Sequence, residues 1–166
     1  MKRKNIIFLS LVAVVILTLV LIAFFVQMHP IEIRYFTDIS SFSALEPYVV
    51  GNLDAFQDSD IDKETVAASY AKTIEYSGRK YDVYAYVFED TASAAAYFRD
   101  CTGETVSGER QYKSESVLFL STTYVAFYKE CLFRVEGGWF PSFVEALNAI
   151  TAQFPITEAA LETQSP

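Results

Sequence analysis

Cys101 and Cys131 are the chain's two cysteines, and their spacing relative to their neighbours is the first feature that could carry chemistry. By i, i+4, i+7 spacing Cys101 shares a helix face with Ala94 and Phe98. By strand alternation Cys131 shares a face with Val125, Phe127, Phe133 and Val135. Both thiols are then expected in one interior, either as a helix-to-strand disulfide or as two buried free thiols. Closing a loop of about 30 residues, the bond would add on the order of 3 kcal/mol. A catalytic thiol needs a base, and the single histidine is His29, in the linker after an apolar run. The same count removes a Ser-His-Asp triad and any multi-histidine metal centre.

Carboxylates are the remaining acid–base groups. Asp58, Asp60, Asp62 and Glu64 start with the rhythm of a calcium loop, but Lys63 stands where glycine is needed and Ser69 where a bidentate glutamate is needed. A solvated acidic loop is expected, with Asp58, Asp60 and Asp62 a weak metal candidate. Arg99 with Asp100, and Glu130 with Glu136, show no catalytic spacing and read as surface charges. Gly78, Gly103, Gly108, Gly137 and Gly138 are scattered at turns and form no phosphate loop, so no cofactor is implied.

The tyrosines suggest recognition. If Val83, Ala85 and Val87 face the helices, Tyr84, Tyr86 and Phe88 lie on the other side of the sheet, joined by Tyr124, Tyr128 and Leu132. Tyr84, Tyr86, Tyr124 and Tyr128 would then line an open binding face for a protein, peptide or glycan, unless the segment before Val66 covers it. Trp139-Phe140-Pro141 reads as packing for the helix that follows, with a recognition tip or a lipid contact as the alternatives.

The elements that must position these residues follow from periodicity. Ile31–Phe36 alternates as a strand, and Thr37-Asp38 caps a short helix ending before Pro47. Ala68–Tyr76 and Tyr81–Val87 alternate around Ser77-Gly78, a hairpin signal. Asp90 or Thr91 starts a helix from Ala92 to Thr102, closed by Gly103. Glu115–Ser121 and Tyr124–Glu136 make a second hairpin around Thr122-Thr123. Ser142 and Glu145 have capping-box spacing for a helix running to Phe154. The expected fold is α+β in ββα-ββα order, an antiparallel sheet of two hairpins with its helices on one face.

Before all this, residues 6–26 are apolar except for Ser10 and Thr18, and they follow Lys2, Arg3 and Lys4. As a helix the run is about 31 Å long, matching a bilayer core. It lacks a signal-peptide cleavage site, so an uncleaved single-pass anchor is expected, with the N-terminus cytoplasmic. The expected organisation is a tail at 1–5, the span at 6–26, a linker at 27–32, an extracytoplasmic domain at 33–158 and a flexible tail at 159–166. With the three leading basic residues set aside, all 21 acidic residues meet 10 basic ones, a net charge of about −11 against −8 for the whole chain. That disfavours nucleic acid and anionic lipid headgroups. No N-x-S/T sequon occurs, which favours a prokaryotic surface protein. The functional expectation is a non-catalytic, membrane-anchored binding or scaffolding module of the cell envelope. Its alternatives are an accessory subunit of a transporter or envelope machine, and a cell-wall hydrolase working through two carboxylates.

Overall fold

The computed structural model describes residues 3–28, 31–57, 61–117 and 120–154. The chain divides into two units, Met1–Ile31 and Glu32–Pro166. The first holds helix α1, Arg3–Met28, with apolar side chains such as Leu11 and Leu17 exposed. Among the described residues no helix is long and apolar enough to cross a membrane. The anchor over 6–26, the membrane as partner and the cell-membrane location are therefore corrected. The finding concerns helices and does not bear on β-barrels.

The second unit is built on a six-stranded antiparallel sheet in the order β1-β2-β3-β6-β5-β4. Its strands are β1 Val49–Asn52, β2 Val66–Tyr76, β3 Arg79–Phe88, β4 Arg110–Val117, β5 Ser121–Tyr128 and β6 Cys131–Gly137. Two helices complete it, α2 Thr91–Thr102 and α3 Phe140–Thr151, with 3-10 turns at Ile39–Tyr48 and Lys63–Thr65. The β2–β3 hairpin forms around Ser77-Gly78, both at positive φ of 51° and 72°, the backbone a tight two-residue turn requires. Asp90 Oδ1 accepts from Ser93 N at 2.7 Å to start α2, and Gly103 ends it in the left-handed conformation at φ 67°. Asp38 likewise accepts from Ser40 N at 2.9 Å and starts the first 3-10 segment.

The expected two hairpins with helices on one face are not what forms. The stretch read as one strand from Tyr124 to Glu136 is two, folded at Lys129-Glu130, where Lys129 takes φ 52° and Tyr128 comes opposite Cys131. The expected turn residues Thr122 and Thr123 instead lie inside β5. Each strand pair shares a side, so the registers sort the sheet into two faces. Tyr84, Tyr86, Leu132, Arg134, Val125 and Phe127 share one; Val83, Ala85, Cys131, Phe133, Tyr124 and Tyr128 share the other. Helix α2 covers the first, with Phe98 on Phe127 at 5.0 Å and Tyr97 on Tyr86 at 5.5 Å between ring centroids. Helix α3 and the 3-10 segment Ile39–Tyr48 cover the second. There Phe42 meets Phe36, Tyr70, Phe133 and Phe154 at 4.9–5.7 Å.

Ile31–Phe36 does not join the sheet; it runs beside α3, with Glu32 N donating to Asn148 Oδ1 at 2.9 Å. Trp139 precedes α3 without a side-chain cap, and the capping box expected at Ser142 and Glu145 lies inside the helix.

Candidate functional site

The two-sided sheet separates the sequence-selected residues. Tyr84 and Tyr86 lie on the α2 face, Tyr124 and Tyr128 on the α3 face, so the four do not form one surface. Tyr86 and Tyr124 are buried, at 1% and 0% exposed. Tyr128 is half-buried, its ring tilted against Tyr35 at 5.7 Å between centroids. Cys101 packs against the α2-face core while Cys131 points to the α3 face, and both are free thiols. The sheet between them accounts for the missing helix-to-strand bond. Asp58 and Asp60 fall outside the described residues, as does His29. Asp62 accepts from Glu64 N at 3.1 Å, capping the 3-10 turn Lys63–Thr65. Among the described residues no group of three or more His, Cys, Asp or Glu is placed to hold a metal. Arg99 and Asp100 pair at 3.6 Å and are well exposed. The Trp139 indole is half exposed, with the Arg79 guanidinium 5.9 Å over it.

What the fold does assemble is a polar cleft on the α2 face. Its floor is Tyr84 and Tyr86 of β3 with Arg134 and Glu136 of β6; its walls are Tyr97 of α2 and the loop Leu53–Gln57. The cavity is small, ≈ 50 Å³, enough for a few waters or one corner of a small molecule.

Each wall is pinned by its own hydrogen bonds. Leu53 N donates to Ala71 O at 3.1 Å, anchoring the loop to β2. Asp54 Oδ1 accepts from Phe56 N at 3.0 Å, closing an Asx turn. The Tyr86 hydroxyl donates to Ala55 O at 2.7 Å, tying the loop to the sheet. The Arg134 guanidinium donates to the Glu136 carboxylate two residues on along the same strand face, and lies 5.5 Å over the Tyr84 ring. Burial works against the charge on Arg134, but the Glu136 carboxylate more than offsets it, so the guanidinium is held charged.

Tyr97 is the exception to this saturation. Its side chain is 7% exposed and lines the cleft; its hydroxyl, itself closed off from solvent, meets no partner at strict geometry and has the Cys101 thiol and the Tyr86 hydroxyl as its hydrogen-bonding neighbours. Burial, reinforced by the nearby Cys101 thiol and the Tyr86 phenol, pushes its ionisation far above the ordinary tyrosine value. A neutral O–H donor is therefore held facing a charged pair. Buried hydroxyls are normally paired, and since this oxygen is closed to solvent a ligand atom reaches it only when the cleft wall opens.

Donors and acceptors alternate around the cleft. Arg134, Gln57 and the Tyr97 hydroxyl can donate, while Asp54 and Glu136 can accept. An anion would meet the two carboxylates and a cation would meet Arg134. A neutral ligand with hydroxyl groups, each both donor and acceptor, meets neither penalty. The carboxylates Asp54 and Glu136 are already engaged by Phe56 N and Arg134 respectively.

Sequence reasoning missed Tyr97, Arg134 and Gln57. The signal for Arg134 was present: in Cys131–Gly137 the two charges alternate with Phe133 and Val135, marking a half-wet strand face. Tyr97 had no such mark, since its face of α2 is defined only by what packs beneath it. No protein-family model, curated protein or solved structure matches the chain. Function must be argued from this geometry alone.

Proposed function

We propose that the sheet domain is a non-catalytic binding module that takes a neutral, hydroxyl-bearing ligand, such as one corner of a sugar or polyol, in the cleft beneath the loop Leu53–Gln57. The observation that carries this reading is the Tyr97 hydroxyl, buried in the cleft wall with no partner at strict geometry and only the Cys101 thiol and the Tyr86 hydroxyl beside it. A ligand hydroxyl accepting from it would donate onward to Glu136 or Asp54, and a sugar C–H face would rest on the half-buried Tyr84 ring. The compensated charge of the Arg134–Glu136 pair supports a neutral ligand over an ionic one.

The test is an NMR titration following the ring resonances of Tyr84, Tyr86 and Tyr97 against a neutral monosaccharide, glycerol, acetate and methylammonium. Neutral hydroxyl compounds are expected to shift these rings at millimolar concentration, with the ions weaker. Rings indifferent to every neutral compound, or shifted most by an ion, would refute the reading.

A further inference from the structure

The two edges of the sheet are unlike. β1 is four residues long and its register against β2 breaks between Val49 and Gly51, the short irregular edge that discourages strand addition. β4 runs eight residues in unbroken register with β5, and among the described residues no strand pairs with its outer side.

Which backbone groups of β4 face outward follows from one bond. Lys129 N donates to Glu109 O at 2.7 Å, one step beyond the opposed pair Arg110 and Tyr128. Hydrogen-bonded pairs alternate along an antiparallel ladder. Gln111, Lys113 and Glu115 are therefore bonded to β5, while Tyr112, Ser114 and Ser116 turn their N–H and C=O groups to the open edge.

We propose that β4 pairs antiparallel with β4 of a second copy of this chain, about a two-fold axis at Ser114. An outward-facing residue must oppose an outward-facing one, which places the two-fold axis on a residue and gives three central registers, at Lys113, Ser114 or Glu115. Centring on Lys113 sets two lysines against each other, and centring on Glu115 sets two glutamates. Centring on Ser114 sets each Lys113 against Glu115 of the second copy, twice by symmetry. Those positions are the closer-spaced, non-hydrogen-bonded pairs, with Cα atoms about 4.5 Å apart and side chains in reach. Within its own chain Lys113 Nζ meets Thr102 O at 2.7 Å, Glu104 at 3.1 Å and Glu115 at 2.6 Å, so the pairing exchanges its own Glu115 for that of the second copy. The same register brings Val117, 69% exposed, opposite Gln111 of the second copy. One strand pair buries less than the roughly 1,000 Å² of a stable interface, so the dimer is weak, formed at chain concentrations on the order of 100 μM.

The test is sedimentation of the full chain over a concentration series, with Lys113→Glu and Glu115→Lys variants alone and mixed. Lys113→Glu carries glutamate at both positions and Glu115→Lys carries lysine at both. Each alone is expected to weaken dimerisation about tenfold or more, and the equimolar mixture to restore it as a heterodimer. If a charge variant does not fold, Ser114→Cys decides. The register sets the two 114 Cα atoms about 5.5 Å apart, within disulfide reach, so mild oxidation is expected to give a covalent dimer that the unaltered chain does not. A folded chain that stays monomeric throughout, an association indifferent to the charges at 113 and 115, as one through α1 would be, or a Ser114→Cys chain that does not cross-link would each overturn the proposal.

Discussion

At the scale of single residues, Tyr97 holds the most specific consequence. A buried hydroxyl without a partner costs stability, so Tyr97→Phe is expected to raise the unfolding free energy by about 1 to 3 kcal/mol while emptying the cleft of its donor. Urea denaturation measures the first effect; an unchanged or lowered stability would mean that the hydroxyl is satisfied in solution. Gly137 has the opposite character. A Cβ there would lie 2.8 Å from Tyr81 Cε1 and 3.0 Å from Phe143 Cδ2, and Tyr81 is held in place by its hydroxyl on Ser142 O. Gly137→Ala should therefore destabilise by about 1 to 3 kcal/mol through overpacking, read from the same denaturation curve. The thiols give a simple check: labelling the denatured, unreduced chain should modify both Cys101 and Cys131. Buried phenols also set an alkaline limit. An unfolded tyrosine ionises near pH 10, whereas burial pushes Tyr70 and Tyr86 up to about 12. The folded state keeps protons that the unfolded chain releases, so stability should hold below about pH 10 and fall as the pH rises towards 12. A phenolate absorbance titration run beside circular dichroism would test this, and loss of structure well below pH 10 would contradict it.

At the scale of elements, the sheet faces are decided by turns. The β2–β3 hairpin was legible because Ser77-Gly78 offers a glycine where positive φ is needed. The β5–β6 hairpin was not, because Lys129 takes φ 52° with a side chain that carries no turn signal. Missing that turn reversed the parity of every residue before it relative to every residue after it. Cys131 was thereby grouped with Phe127 rather than against it, and Tyr124 with Tyr84 rather than across the sheet. Helix α2 was legible at both ends through Asp90 and Gly103, whereas the start of α3 was misplaced because Trp139 offers no capping side chain. The segment before β1 was legible as a short helix capped by Asp38, but its pattern did not show that it supplies the centre of the α3-face core. Phe42 is fully buried among four aromatic rings. Phe42→Ala is therefore expected to cost about 3 to 5 kcal/mol, measured by chemical denaturation. A cost below 1 kcal/mol would show that the 3-10 segment is not part of the cooperative core.

At the scale of the whole molecule, composition indicated a folded α+β domain, and charge argued against nucleic acid. Neither could place the recognition surface, because the helices and loops that cover the sheet decide what stays open. The open tyrosine platform gave way to a small cleft on the α2 face and a free strand at the sheet's edge. The apolar run that suggested a membrane anchor forms α1, and no helix among the described residues is long and apolar enough to cross a bilayer. The functional account therefore rests on the sheet domain. Its central claim is that the Tyr97 hydroxyl receives a ligand, and ligand-linked stability tests that most directly. A ligand that binds only the folded state raises the melting temperature with concentration. A neutral sugar that shifts the Tyr84 and Tyr97 resonances should raise the melting temperature of the unaltered chain and leave that of Tyr97→Phe unmoved. An equal rise in both proteins, or a rise in neither, would contradict the account.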